Sequence, residues 1–563
     1  MKAKIHKLYF LGLMTITTAG IIACSDDDFQ SESNDPMRMF TPLSLAAENL
    51  EKETLVTWKA SLYTDDIPET YTAEVSTDSL FVNPAEIILS KATDSAGVVI
   101  TDQEIPVRKN YFVRVKTNAY EDRPESYWSA SKRIRISGTQ IMHPIYDPNI
   151  QSDKVTFSWD VTPNVTSVRI QAIRNVTGQD EPENIGDPII SDISSSESSA
   201  GQKTVNGLNP GTLYNIEIYQ ENTSVGYRTF RTKASTEYST ILNAGDDLVA
   251  TVNASENGAI IGLNPGVYDV DGNNININGK SITIQSTSSD PNNTKIQFKE
   301  FVLNDTGAGL QLKGLELDGS ANNAAYLINL TSSSNNGTAA NFENVLIDNC
   351  IVHNVSTSAF RANRGPANGY KIDKFEIKYS LFKNFAVSTY GFLHLDKLIF
   401  NEVNLENSTF TEIGDLFIRY RENISSPAAN TPINITNCTI NSIGHSQAYP
   451  LLDNNNVAIK FNFSNNILAN VPRVGGVISN TNLVRIASNT SASLSFNNFY
   501  NLTNGNAAEL QNLVIPTGVS NSNNQTHNLN WTNTTTDFTL PANSPLRSAS
   551  STGGAIGDPR WWN

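Results

Sequence analysis

Val345-Leu-Ile-Asp-Asn349 returns as Val403-Asn-Leu-Glu-Asn407, Ile433-Asn-Ile-Thr-Asn437, Phe461-Asn-Phe-Ser-Asn465 and Leu494-Ser-Phe-Asn-Asn498, with Phe375-Glu-Ile-Lys-Tyr379 as a variant. Within each copy the apolar residues stand two apart, which puts them on one side of a strand and fits no helical period. Leu310-Gln-Leu-Lys-Gly314 and Ile282-Thr-Ile-Gln-Ser286 extend the series backwards. The closing positions then fall at 286, 314, 349, 379, 407, 437, 465 and 498, 28 to 35 residues apart. A constant strand phrase at uneven intervals describes a solenoid with loops inserted on some coils. The phrase therefore predicts a single-stranded parallel β-helix with coils stacked at about 4.8 Å and the closing asparagines forming an amide ladder inside a turn.

The rest of the chain is read outward from this repeat. With 563 residues, 17% charged, and a net charge of −16, the protein has room for several domains and the composition of an all-β extracellular chain. The acidic balance excludes a nucleic-acid partner, which would need basic surfaces to displace counterions from phosphate. Lys2, Lys4 and Lys7 precede an apolar stretch, Leu8 to Ile22, that is too short to span a bilayer and reads as a secretory signal over residues 1–23. Ile21-Ile22-Ala23-Cys24 resembles a bacterial lipobox, which implies lipidation of Cys24. Ser25-Asp26-Asp27-Asp28, in an acidic linker over 24–39, resembles the export signal that sends Bacteroidota-type lipoproteins to the extracellular side of the outer membrane. Cys350 and Cys438 each follow a closing asparagine and lie three coils apart, about 14 Å, so they are expected as free, half-buried thiols.

Two β-sandwiches are predicted ahead of the solenoid, at 40–137 and 138–236. Leu55-Val-Thr-Trp58 and Val155-Thr-Phe-Ser-Trp159 each end a strand on a tryptophan, read as a core residue. Leu208-Asn-Pro-Gly-Thr-Leu-Tyr214 resembles the corner phrase of fibronectin type III domains, with Asn110-Tyr111 as a weaker counterpart. The sandwiches are expected to act as spacers, with sugar binding left open. Asp78-Ser79-Leu80 and Asp94-Ser95-Ala96 resemble short O-glycosylation sequons.

The segment 237–563 carries a wider resemblance. Leu263-Asn-Pro-Gly-Val-Tyr268 and Lys280-Ser-Ile-Thr-Ile-Gln285 resemble the opening coil of the pectin-lyase-like superfamily. Ala542-Asn-Ser-Pro-Leu-Arg547 and Gly554-Ala-Ile-Gly-Asp-Pro-Arg-Trp561 resemble the closing segment of uncharacterised lipoproteins, with domains of unknown function, from polysaccharide-utilisation loci. The resemblance implies a right-handed helix, a polysaccharide ligand at the cell surface and outer-membrane glycan transporter components as partners. It does not choose between lyase, hydrolase, esterase and plain binder. Trp561 and Trp562 are expected to close the end of the helix.

Residue chemistry narrows those classes. A glycoside hydrolase needs paired carboxylates flanking the scissile bond. The repeats offer none of the expected acidic motifs: Asp246-Asp247 precedes the first complete coil, and Gly444-His445 and Arg485-Ile486 stand without the acids. A lyase must neutralise a uronate carboxylate and place a base at the sugar ring. No acidic cluster at coil spacing favours calcium for that neutralisation, and no cofactor is expected, with calcium left open. Arg361 and Arg419 each stand twelve residues after a closing asparagine, two coils apart, so they are expected on one face about 10 Å from each other. His394 lies on the intervening coil, where it is expected to titrate near neutrality. Arg361, His394 and Arg419 are thus the candidate catalytic residues; Arg364, Arg421, Tyr390 and Tyr420, with Tyr449 near the same strand position, are the candidate substrate contacts. Two readings stay open: a lipoprotein that binds an acidic polysaccharide and depolymerises it by β-elimination, or a non-catalytic glycan-binding or adhesin-like protein.

Overall fold

The computed structural model describes residues 37–60, 68–161, 165–178, 182–333, 338–363, 369–422 and 431–562. These form two compact units that divide between Thr139 and Gln140. Cys24, the acidic run after it, and Arg364 lie outside the described residues.

The first unit is an antiparallel sandwich. Leu43–Asn49, Glu53–Lys59 and Gly97–Thr101 make one sheet; Ile87–Thr93, Tyr71–Ser76, Tyr111–Thr117 and Lys132–Ile134 make the other. Alternation buries Val56, Trp58, Tyr71 and Val113 between them, with Trp58 edge-on to Tyr71 at 5.2 Å. In the second unit a further sandwich pairs Glu183–Asp192, Val165–Arg174, Leu213–Gln220 and Thr223–Arg231 in one sheet and Lys154–Ser158 with Gln202–Asn206 in the other. Trp159 is buried in its core, and the Tyr214 hydroxyl accepts from the Asn209 N–H at 2.8 Å, the corner bond that the Leu208–Tyr214 phrase predicts.

The solenoid follows in the same unit. Three parallel sheets of twelve, nine and eight strands run from Thr240–Leu242 to Ser520–Ser522, from Gly266–Asp269 to Asn498–Leu502 and from Ile275–Asn278 to Val484–Arg485. The recurring phrase is the first sheet: Ile282, Leu310, Val345, Phe375, Val403, Ile433 and Phe461 stack in register, all fully buried. The helix Leu248–Ala254, capped by the Asp247 carboxylate on the Ala250 N–H, lays Leu248 and Val252 onto the first coils. Asp247 of the early acidic pair is thereby a structural cap.

Four expectations need correction. First, the closing residues are selected by backbone, since Gly314, Asn349, Tyr379, Asn407, Asn437 and Asn465 all have positive φ, a conformation asparagine and glycine tolerate best. One direct rung joins two of them, Asn437 Nδ2 to Asn407 Oδ1 at 3.2 Å. The buried polar ladder is one residue further on, where backbone N–H groups of Cys438, Asn466 and Asn497 donate to the side chains of Asn466, Asn497 and Asn524. Second, Phe463 stacks on Leu494, so that coil closes on Phe496, with φ +58, and not on Asn498. Third, Trp561 and Trp562 do not close the end of the helix. The chain after Gln525 turns back along the outer side of the second sheet, where Trp531, Phe538, Leu540 and Ile556 pack on Ile467 and Ala469. Trp561 Nε1 there donates to Thr409 Oγ1 at 2.7 Å. That flank offers the small or apolar outward residues Thr409, Thr439, Ile467 and Asn498, which a packed strap can cover. Fourth, Cys350 and Cys438 are free, and they are fully rather than half buried; burial pushes the Cys350 thiol up to about 12.

Candidate functional site

The third sheet carries the candidate residues. Its strands place Phe360, Leu393, Ile418, Leu452 and Val484 in the core, and the neighbour that follows each stands on the opposite side of the sheet. Parallel register stacks those neighbours into one column: Asn329, Arg361, His394, Arg419, Asp453, Arg485. His394 therefore stands between Arg361 and Arg419, as coil counting predicts. Gly391 opens its strand because any side chain there would meet the Arg419 Cβ at 2.9 Å.

Carboxylates organise this column. Asp396 is 2% exposed; its Oδ2 accepts from Arg419 Nε at 2.7 Å and lies 3.2 Å from His394 Nε2, while Oδ1 accepts from the Arg421 N–H at 2.6 Å. Burial alone would raise its pKa, but the hydrogen bond from His394, the charge that His394 carries once protonated in acid, the charge of Arg419 and the Arg421 N–H outweigh burial and hold it at about 2. Asp453, equally buried, accepts from Arg421 Nε on one oxygen and from Arg485 Nε on the other at 2.6 Å. Gln447 Oε1 takes a further bond from Arg421 at 3.2 Å.

Arg361 is held differently. Its guanidinium lies 4.7 Å from the Tyr326 ring centre and 5.4 Å from that of Tyr390, and its Nε donates to Asn363 Oδ1 at 3.2 Å. Among the described residues it has no carboxylate partner. Tyr390 also covers His394, ring centres 4.6 Å apart. At the far end of the column Arg485 lies over Tyr449 at 5.0 Å.

These contacts revise the sequence-based site. Arg419 and Arg421 are not free cations, because Asp396 and Asp453 pair with them. His394 is 1% exposed and its pKa is lowered, by burial first and then by the charges of Arg419 and Arg361 against the opposing pull of Asp396, so it is neutral at pH 7. Its Nδ1 is buried with no hydrogen-bond partner among the described residues. Tyr420 presents no ring to a ligand: it is buried against Phe400 and its hydroxyl donates to the Leu398 carbonyl at 2.6 Å. Gly444-His445 belongs to a turn anchored by buried Asp415, whose Oδ1 accepts from the His445 N–H at 3.1 Å. Asp453, Arg485 and Tyr326 were not singled out as members of the site from sequence. No group of three His, Cys, Asp or Glu among the described residues is arranged to hold a metal ion. A hollow of about 600 Å³ lies apart from this column, lined by Ser239, Thr251 and Asn257 at the start of the solenoid.

Residues 266–412, within the solenoid and containing Arg361 and His394, match the family described as domain of unknown function DUF4957. Among solved structures, the chain is similar to the chicken CNTN1 FN1-FN3 domains, at 13% identity over 35% of this chain and 69% of that one, TM-score 0.16. It is also similar to a two-domain fibronectin type III segment of chicken tenascin, at 17% identity over 34% of this chain and 99% of that one, TM-score 0.17. No curated protein matches the chain.

Proposed function

We propose that this chain is an outer-membrane lipoprotein, anchored through Cys24 and facing outward, that binds an acidic, uronate-containing polysaccharide along the third sheet of its solenoid. The observation that carries the reading is Arg361, which has no carboxylate partner among the described residues and lies against Tyr326 and Tyr390. A guanidinium grips a carboxylate through paired, charge-assisted hydrogen bonds, and tyrosine faces receive the apolar face of a sugar ring. The pectin-lyase-like resemblance of the solenoid and the lipobox at Cys24 point the same way, toward a polysaccharide-utilisation system with glycan transporter components as partners.

A second reading is β-elimination, and the His394–Asp396 pair favours it. With Nε2 donating to Asp396, the lone pair of the neutral imidazole is at Nδ1, on a residue flanked in register by arginines on the neighbouring coils. Nδ1 would take the proton alpha to the uronate carboxylate as the carbon–carbon double bond forms and the glycosidic carbon–oxygen bond breaks, with solvent protonating the departing oxygen. Binding without cleavage remains our conclusion because His394 lies buried beneath Tyr390.

Purified protein tested against pectin, alginate and glycosaminoglycans, reading both binding and unsaturated uronate absorbance, separates the two. We expect binding without product, weakened about tenfold or more in Arg361→Ala, roughly 1.4 kcal/mol. Product that disappears in His394→Ala would replace binding with lyase activity, and failure to bind any acidic glycan would overturn both. Cys24→Ala is expected to move the protein from the membrane to the soluble fraction of cells; retention in the membrane would refute the anchor.

A further inference from the structure

The charges along the column do not cancel evenly. Asp396 balances Arg419, leaving that pair neutral, and His394 between Arg361 and Arg419 is uncharged at pH 7. Asp453, by contrast, is shared by two guanidiniums, Arg421 and Arg485, and one carboxylate leaves one positive charge over. Both of these arginines are accessible, with side chains 25% and 31% exposed, whereas Asp453 is buried beneath them. Arg485 also repeats the arrangement at Arg361, lying across the face of a half-buried tyrosine, here Tyr449.

The column thus has two cationic stations backed by tyrosine, on one face of one sheet, with a neutral stretch between them. From Arg361 to Arg485 the register runs through four coil steps, about 19 Å at the spacing of paired strands. We infer that Arg421 and Arg485, seated on Asp453, form a second anion subsite, and that the ligand is an anionic polysaccharide running along the solenoid axis with one acidic group on each station. This rests on the proposed glycan-binding reading and extends it. The acidic group is a uronate carboxylate or a sulfate ester, since guanidinium forks accept either. A chain long enough to reach both stations gains from the second contact being intramolecular, and a short one does not.

The test is a length series. Affinities of the full-length protein are measured for oligogalacturonates and, separately, chondroitin sulfate oligosaccharides, from disaccharide to about octasaccharide, with wild type, Arg361→Ala and Arg485→Ala. Arg421 stays on Asp453 in the second variant, and Arg485→Lys restores the charge. The expected result is an affinity that climbs at least about tenfold once the oligomer spans both stations, a climb that Arg485→Ala removes while leaving the shortest ligands unaffected. Arg485→Lys should recover part of it, and Arg361→Ala should weaken every length. A response to oligogalacturonates identifies the carboxylate; a response to chondroitin sulfate that is lost on desulfation, which leaves its glucuronate in place, identifies the sulfate. If Arg361→Ala weakens binding but affinity is independent of length, or Arg485→Ala changes nothing, the second subsite is wrong and the first reading stands. If wild type binds neither series at any length, both fall.

Discussion

Asp396 ties the column together, because its two oxygens serve His394, Arg419 and the backbone of Arg421 on the following coil. Its carboxyl is held at about 2 against an ordinary 3.8, so the folded state gains stability once the unfolded carboxyl is ionised, above about pH 4, and loses it as pH falls toward 2. Asp396→Asn is therefore expected to cost about 2 kcal/mol in denaturant unfolding at pH 7, with the difference from wild type shrinking as pH approaches 2. A constant difference across that range would show that packing rather than charge holds the site. His394 has a lowered pKa, so it contributes stability above its ordinary value of 6.5 that is lost as pH falls below it. Its ring proton shift in NMR should titrate with a midpoint below 6.5; a midpoint at or above 6.5 would restore the histidine titrating near neutrality that is expected from sequence. That expectation failed because strand alternation reports which way a side chain leaves the backbone, and says nothing of the aromatic ring that covers it from a neighbouring coil.

At the scale of elements, the left-handed closing residue is the device that turns each coil from the first sheet to the second. Asn437 shows it in simplest form, with φ +53 and a side-chain bond to Asn407 on the coil before. Asn437→Ala should destabilise by about 1–2 kcal/mol, and Asn437→Gly should recover most of that loss, because glycine adopts the conformation without the Cβ clash. Equal losses in the two variants, measured as unfolding midpoints, would assign the role to the amide ladder instead. This column was legible because asparagine marks it in most coils. A second left-handed column at Asn354, Asn384, Glu412, Ser442, Asn470 and Asn501 went unread although asparagine marks four of its six positions, because the phrase that indexes the coils ends at the first turn, five residues earlier. Asp453 escaped for another reason: the residues around Gly444–Pro450 lengthen the path from Asn437, so that Asp453 stands sixteen positions after it, where Arg419 stands twelve after Asn407. Coil counting finds a column only while the loops between sheets keep their length. The strap from Trp531 to Trp562 has no period at all, and nothing short of its packing on Ile467 and Ala469 reveals where it lies.

For the whole molecule, the net charge of −16 sets a condition on any acidic ligand. A polyanion approaching this protein is repelled by the sum of its charges at distances beyond the local pull of Arg361, and that repulsion is screened over about 8 Å at physiological salt. Raising ionic strength should thus have two opposed effects on glycan binding: association quickens as repulsion is screened, while dissociation also quickens as the arginine–carboxylate contacts weaken. The expected result, in surface-based kinetics from about 20 to 300 mM NaCl, is an association rate that rises with salt and an affinity that changes little or passes through a maximum. Arg361→Ala removes part of the short-range attraction and leaves most of the repulsion, so its weaker affinity should rise with salt over the same range. An association rate that falls steeply with salt in the wild type would mean that the ligand meets a basic field, which this charge distribution does not provide, and would point to a binding face other than the third sheet.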